Sequence, residues 1–273
     1  MRNTKLWMNI LWVLVVVLGV ARLAITLFSH SISLPLLVAV VVFTFIPVAF
    51  ALIHGALRYR WSGVVTFLVI CLVVSNILEN TSILTGFPFG HYYYTVGPKL
   101  FLVPLFIGPA YFGTGYLAWV LATVLIGEVR SKGSWFTTFA VPFIASFMMV
   151  AWDLSMDPTS STIQHIWIWE QGGGYFGVPL TNFLGWFFTV YVIFQLFALF
   201  LHFRKAASEK TRPLPRSYYA QAIILYGVLG LTFVLSYLVS SGNTLVTDAV
   251  GVVWQTRSIA EAEATVSIFT MIF

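Results

Sequence analysis

Apolar residues in this chain come in long unbroken runs rather than in the alternation of a half-buried strand or the one-sided stripe of a surface helix. A helix needs about 20 apolar residues to cross a bilayer. Seven stretches meet or approach that length, at about 6–28, 34–57, 63–84, 102–127, 134–155, 181–203 and 217–240. An eighth, about 256–273, is shorter and carries Glu261 and Glu263, so it reads either as a span or as a helix packed at the interface. The pattern predicts an all-α, polytopic membrane helix bundle of seven or eight transmembrane helices, with residues 1–273 forming a single integral membrane domain. The first run is too long for a signal-peptide core and no small-residue cleavage site follows it, so it reads as a retained helix.

Composition agrees: 59% of residues are hydrophobic and 8% charged, against about 25% charged in soluble domains. The net charge of +5 is not a nucleic-acid signal, because the basic residues sit in short loops and form no stripe that could follow a phosphate backbone. Arg2 and Lys5, then Arg58 and Arg60, Arg130 and Lys132, and Arg204, Lys205, Lys210, Arg212 and Arg216 all fall on one side if the N-terminus is cytoplasmic. The other side has Lys99 and Arg257, so the positive-inside rule gives an N-in topology. A plasma membrane is the default location. The lone cysteine, Cys71, lies in an apolar run and reads as a small core side chain.

Two connections are unlike solvated linkers. Segments 85–101 (TGFPFGHYYYTVGPKLF) and 156–180 are rich in Gly, Pro and aromatics, and both lie on the non-cytoplasmic side. They are expected to fold back as re-entrant or interfacial elements, tolerated where protein satisfies their polar groups.

Charges inside membrane spans are costly, and each one is a candidate for function. Glu79 sits near the outer end of the third run, and Ser75/Glu79 and Asn76/Asn80 are both spaced i,i+4. Asp153 lies near the outer end of the fifth run. Asp157 follows one turn on, and Pro158 after it is expected to end the helix there. With His91, Glu170 and Asn182, these groups converge on one membrane face that has few cations. A carboxyl that keeps its proton near neutral pH can serve as a general acid. The plainer reading is that polar groups at helix ends cap backbone or meet headgroups. His30, His54, His165 and His202 show no metal-ligand spacing, and His54 and His202 read as capping or interfacial. No metal is expected. Arg22 reads as snorkelling outward or pairing with Glu261 or Glu263. The Asp153–Asp157 spacing is that of prenyl-transferring enzymes, but the near absence of Lys and Arg on this face disfavours a diphosphate. Tyr92, Tyr93, Tyr94, Trp167 and Trp169 fit an interfacial belt or the lining of a site where a cation forms.

Gly86-Phe-Pro-Phe-Gly-His-Tyr-Tyr-Tyr-Thr95, Gly97-Pro-Lys-Leu100, Val103-Pro104, Trp152-Asp153 through Asp157-Pro158, Trp167 to Trp169, Gly173 to Pro179 and Asn182-Phe183 resemble, in order, the CruF-type carotenoid 1,2-hydratase family, which includes the bisanhydrobacterioruberin hydratases. The resemblance implies addition of water to the terminal 1,2 double bond of an acyclic carotenoid ψ-end, with no cofactor. On that chemistry, Asp153 is the expected acid, Glu79 the second choice, and Asp157 or Glu79 the base for water. Asn80, Asn182 and His91 are expected to hold these groups, with Glu170 a further candidate. Phe89, Tyr92, Tyr93, Trp152, Trp167, Trp169, Tyr175, Phe176 and Trp186 are the expected substrate-binding residues. Expected partners are the acyclic carotenoid, water, the lipid bilayer and other enzymes of the pathway. The alternatives are a lycopene-cyclase-like membrane enzyme, and a non-enzymatic carotenoid-binding or transport protein.

Overall fold

The computed structural model describes residues 4–28, 41–205, 214–240 and 242–273. Arg2, His30, Lys210, Arg212 and the 34–40 part of the second apolar run lie outside the described residues. The helices are α1 (Thr4–Leu27), α2 (Ile46–Thr85), α3 (Ile107–Ile126), α4 (Trp135–Pro158), α5 (Leu180–Phe203), α6 (Arg216–Val239) and α7 (Thr256–Ser267). A π-helical stretch, Val41–Phe45, leads into α2, another, Thr159–Ile163, continues α4, and a third, Ile268–Ile272, continues α7. Six of these helices are long and apolar enough to cross a membrane.

The expected second and third spans are joined without a loop. The 40 residues of α2 are two helical halves that meet at Arg60, where φ is 63° and ψ is 169°. A straight helix of 40 residues would be about 60 Å long, twice a bilayer core. Instead the two halves fold onto each other. A Cβ placed on Gly55 would lie 2.7 Å from Val64 Cγ2, although nine helical residues span about 13 Å. One residue in the left-handed region therefore does the work of a turn, and α2 supplies two crossings where the sequence shows two apolar runs.

Lipid-facing and buried positions separate cleanly. In the second half of α2, Val65, Val69, Leu72, Val73 and Ile77 are exposed, while Val64, Phe67, Cys71, Ser75, Glu79 and Ser82 are buried. The spacings are those of two helix faces, so the polar residues of this helix point into the bundle. Helix α3 is the central post, buried continuously from Tyr111 to Val120. Around its inner half, Phe67 stacks on Phe197 at 4.6 Å, and Trp119 meets Phe197 at 5.0 Å.

The basic end is tied by charge. Glu128 pairs with Arg58 and, at 3.8 Å, with Arg130, and accepts from the Tyr219 hydroxyl at 2.7 Å. His54 and His202, expected to cap or to meet the interface, are instead buried in this half. His54 bonds the Tyr116 hydroxyl (2.6 Å) and the Tyr218 carbonyl (2.8 Å), and stacks on the Tyr218 ring. His202 lies 3.2 Å from Thr138 Oγ1 and stacks on Trp135. Both rings have polar partners inside the bundle, which is what lets them leave the interface.

The C-terminal segment packs inside. Ser267 Oγ donates to the Gly230 carbonyl of α6 at 2.8 Å, and Glu263 accepts from Thr159 N and Oγ1 at the end of α4, both at 2.8 Å. Glu261, the other acid weighed as a partner for Arg22, is exposed.

The opposite, outer end is closed by short strands. β1 (Tyr92–Tyr94) pairs antiparallel with β4 (Trp167–Trp169), β2 (Lys99–Leu100) with β3 (Val103–Pro104), and β5 (Leu245–Thr247) with β6 (Val253–Gln255). Helix α2 ends at Gly86, whose φ of 82° suits glycine and whose N–H donates to the Ser82 carbonyl. Ser82 Oγ then accepts from Phe89 N and donates to the Gly90 carbonyl, both at 2.9 Å, which pins the following turn. That turn lies directly on α5. A Cβ on Gly185 would come within 2.7 Å of both the Pro88 carbonyl oxygen and Phe89 Cδ1.

The sign of one substitution checks this contact. Gly185→Ala is expected to destabilise the protein by about 1–3 kcal/mol through overpacking against backbone, read as a lower unfolding temperature in detergent. At an unconstrained helix position the same change would stabilise by about 1 kcal/mol. Gly174→Ala, with nothing within 4 Å of the new methyl, is expected to leave the melt unchanged.

Candidate functional site

The ribbon of β1 and β4 determines what faces the bundle. Successive strand residues point to opposite faces, and the register pairs Tyr92 with Trp169, Tyr93 with Ile168, and Tyr94 with Trp167. Tyr92, Tyr94 and Trp169 are buried, whereas Tyr93 is 47% exposed. The four inward rings form a roof: Tyr92 lies 4.7 Å from Trp169, and Tyr94 lies 5.9 Å from Trp167. Each carries an O–H or N–H that a buried carboxyl can use.

Three buried carboxyls lie beneath that roof. Glu79 of α2 accepts from the hydroxyls of Tyr92, Tyr94 (2.9 Å) and Tyr111 of α3 (2.8 Å). Asp157 of α4 accepts on Oδ1 from the indole N–H of Trp167 (2.7 Å) and Trp169 (3.4 Å), and on Oδ2 from Asn182 Nδ2 of α5 (2.6 Å). The same Asn182 amide donates to Asp153 Oδ2 at 3.0 Å. Asp153 Oδ1 and Asn182 Oδ1 are buried and have no hydrogen-bond partner. Exposure is 3% at Glu79, 0% at Asp153 and 1% at Asp157. Among the described residues the two ion pairs, both on Glu128, are at the other end of the bundle. Lys99, the nearest outer cation in sequence, donates to the Tyr94 carbonyl at 2.6 Å.

Donors, not cations, therefore stabilise these acids. Burial, followed by the Glu79 carboxyl, pushes the phenols of Tyr92 and Tyr94 well above the ordinary tyrosine range. Both remain protonated donors at any working pH. Among the described residues no group of three or more His, Cys, Asp and Glu side chains is placed to hold a metal ion.

A second aromatic layer lies beside the acids. Trp186 of α5 stacks on Tyr111 at 4.4 Å with a 5° interplanar angle, and meets Trp152 edge-on at 6.0 Å and Phe89 at 6.3 Å. Tyr175 packs on Phe183 and Phe176, and its hydroxyl donates to the Leu154 carbonyl at 3.2 Å.

Asp157 does not end its helix. α4 runs through Pro158, whose φ of −58° is helical, and continues as a π-helical turn. Wider i→i+5 bonding accommodates the proline, and Asp157 stays one full turn beyond Asp153 on the same face.

Several expected site residues lie apart from the carboxyls. Asn80 Nδ2 bonds the Asn76 carbonyl at 2.7 Å, and its Oδ1 accepts from Leu102 N at 3.0 Å, so it fastens the outer loop to α2. His91 is half-buried; its ring lies against Gly86, and its carbonyl accepts from Glu170 N. The Glu170 side chain is exposed. Tyr93 faces outward, and Phe176 packs on Trp254 at 5.4 Å. Conversely, Tyr94, expected only as part of the belt or of a cation-site lining, and Tyr111, not expected at the site, both donate to Glu79. Period-2 alternation in the Tyr92–Tyr94 run is the signal for Tyr94, while Tyr111 carries no local signal beyond a hydroxyl in an apolar helix.

A family model described as "Carotenoid biosynthesis protein" matches residues 36–248, a span that includes every carboxyl of this site. No curated protein and no solved structure matches the chain.

Register and roof are tested together. Tyr94→Phe removes a donor from buried Glu79 and is expected to cost about 1–3 kcal/mol of stability. Tyr93→Phe, one residue away on the outer face, is expected to be neutral. Equal melts for the two variants would rule out the roof as drawn.

Proposed function

The chain belongs to the carotenoid biosynthesis protein family, and from that premise we propose that it is a hydratase that adds water to the terminal 1,2 double bond of an acyclic carotenoid. The observation that carries this reading is Asp153: a fully buried carboxyl with one oxygen lacking a partner, next to a second aspartate and a glutamate, and without an ion pair among the described residues.

The division of roles follows from the hydrogen bonds. An ionised carboxylate only accepts, whereas a protonated one also donates. Glu79 accepts from three phenols and Asp157 from two indoles and an amide, so each is well supplied with donors as a carboxylate and keeps an acceptor site for a further proton. Asp153 receives one bond and keeps Oδ1 available, which supports it as the acid. In the proposed reaction the π electrons of the double bond take the Asp153 proton, forming C2–H and leaving a tertiary cation at C1. A water oxygen then bonds to C1, and its surplus proton passes to Asp157 or Glu79. Return of that proton to Asp153 resets the site. One water is added and no electron is exchanged, so the chemistry requires no redox cofactor. Ring faces stabilise a cation, which suits Trp186, Trp152, Tyr111 and Phe89 to the C1 end.

One observation favours the second reading, a cyclase. The acids are buried, and a cation formed out of reach of water is captured by a neighbouring double bond, which closes a ring.

Product mass separates the two. Expressed in cells that accumulate an acyclic carotenoid, the chain is expected to give a pigment heavier by one water on liquid chromatography with mass spectrometry. A new pigment of unchanged mass would replace hydration with cyclisation. Asp153→Asn at equal expression is expected to lower turnover by about 10²–10⁴-fold; full activity in that variant would end the acid assignment.

A further inference from the structure

Hydration needs water at a site whose acids are buried, and the structure contains a cavity in the right place to supply it. At the outer end lies a pocket of about 110 Å³ lined by Ser161, Thr162, His165, Ile168, Trp169, Gly177, Thr247, Asp248 and Ala249. Liquid water occupies about 30 Å³ per molecule, so the volume holds a few waters. Its lining mixes hydroxyl, imidazole and carboxyl groups with apolar ones, as a wet cavity requires. Three walls meet there: the π-helical turn after Asp157, strand β4, and the hairpin that carries Asp248.

Two links join this pocket to Asp157. Trp169, part of the pocket wall and 5% exposed, turns its indole N–H onto Asp157 Oδ1. Ser161, also in the wall, donates its hydroxyl to the Asp157 carbonyl at 2.8 Å. Trp169 is therefore shared between the pocket wall and the carboxylate proposed to activate water. The polar side chains of the other face are held by local hydrogen bonds. Asp248 is occupied within its own hairpin, accepting from Val250 N, Val252 N and the Trp254 indole. Thr162 Oγ1 donates to the Phe176 carbonyl at 2.6 Å, and His165 Nδ1 lies 3.1 Å from the Ser161 carbonyl. Ala249 and Thr247, at the rim, are exposed.

We propose that this pocket is a water vestibule, binding solvent at the outer surface and passing it, past Trp169, to Asp157. The inference rests on the hydratase reading and specifies its second substrate's route. The carotenoid enters from the lipid side and water from the opposite, polar side, so the two substrates never compete for one opening. Through such a vestibule water is admitted in small number at the base while the acid and the cation stay among rings.

The test narrows the vestibule without touching the acids. Ala249→Trp fills the rim. Separately, Ala249→Cys is labelled with a charged methanethiosulfonate reagent on purified protein in detergent; the native Cys71 is buried and gives little background. Val253→Cys, exposed on β6 and outside the pocket lining, is the labelling control. Bound carotenoid and the rate of hydrated product are both measured. The expected result is a severalfold slower rate for Ala249→Trp and for labelled Ala249→Cys, with carotenoid binding unchanged and the labelled control at the wild-type rate. An active wild type whose rate survives both modifications overturns the vestibule and leaves the hydratase reading standing. A wild type that binds carotenoid but never yields a product one water heavier overturns both.

Discussion

Glu79, Asp153 and Asp157, buried in an apolar bundle with no salt-bridge partner among the described residues, are the constraint on which the outer half of this protein depends. Burying an uncompensated acid costs several kcal/mol, and the usual remedy, an arginine or lysine alongside, is not what the structure uses. The acids are stabilised by hydrogen-bond donors mounted on aromatic rings: three phenols for Glu79, two indoles and an amide for Asp157. Phenol and indole rings bring a donor into a membrane protein without bringing a charge, and they fill the space around it with apolar surface.

That requirement dictates the irregular parts of the fold. Four of these rings come from strands, because only a two-residue repeat can present Tyr92 with Tyr94, and Trp167 with Trp169, on one face. The strands must reach the acids, so the chain after α2 is turned back at Gly86, pinned by Ser82, and laid against Gly185 where no side chain intervenes. On the other side, α4 cannot stop at Asp157 without losing its register with Asp153, and it runs on through Pro158 into a wider turn. Glu263, from beyond the family match, fastens that turn by accepting from Thr159. The loops thus form the lid of one hydrogen-bonded box whose floor is the helix bundle.

How much of this was legible follows from range. The helices and their lipid faces were readable because a run of apolar residues is a local property, and the bilayer imposes its length on it. Glu79, Asp153, Asp157 and Asn182 stood out because a charge or amide in such a run is conspicuous. What joins them was not legible. Nothing near Tyr111 says that its hydroxyl meets a glutamate 32 residues earlier, and nothing near Asn80 says that it serves the backbone of Leu102 rather than the acids. The fold-back at Arg60 was hidden for the opposite reason: the signal there, a pair of arginines between apolar runs, is that of any short loop. His54 was misread because a histidine near a helix end looks interfacial until the long-range partners Tyr116 and Tyr218 are known.

The two ends of the bundle use the same materials to opposite purpose. At the basic end, Glu128 has a tyrosine donor, as Glu79 does, but it also has Arg58. An acid held by a guanidinium has a fixed charge and no proton to exchange, so it fastens helices and nothing more. At the outer end no guanidinium pairs with the acids among the described residues, and Glu79 has three phenols in its place. Phenol and indole donors orient a carboxyl and favour its ionised form, but without the full positive charge of a guanidinium. Such a group can give a proton and take one back. The same asymmetry of basic residues that the positive-inside rule reads as topology leaves the outer face with few cations, and among the described residues none of them pairs with Glu79, Asp153 or Asp157.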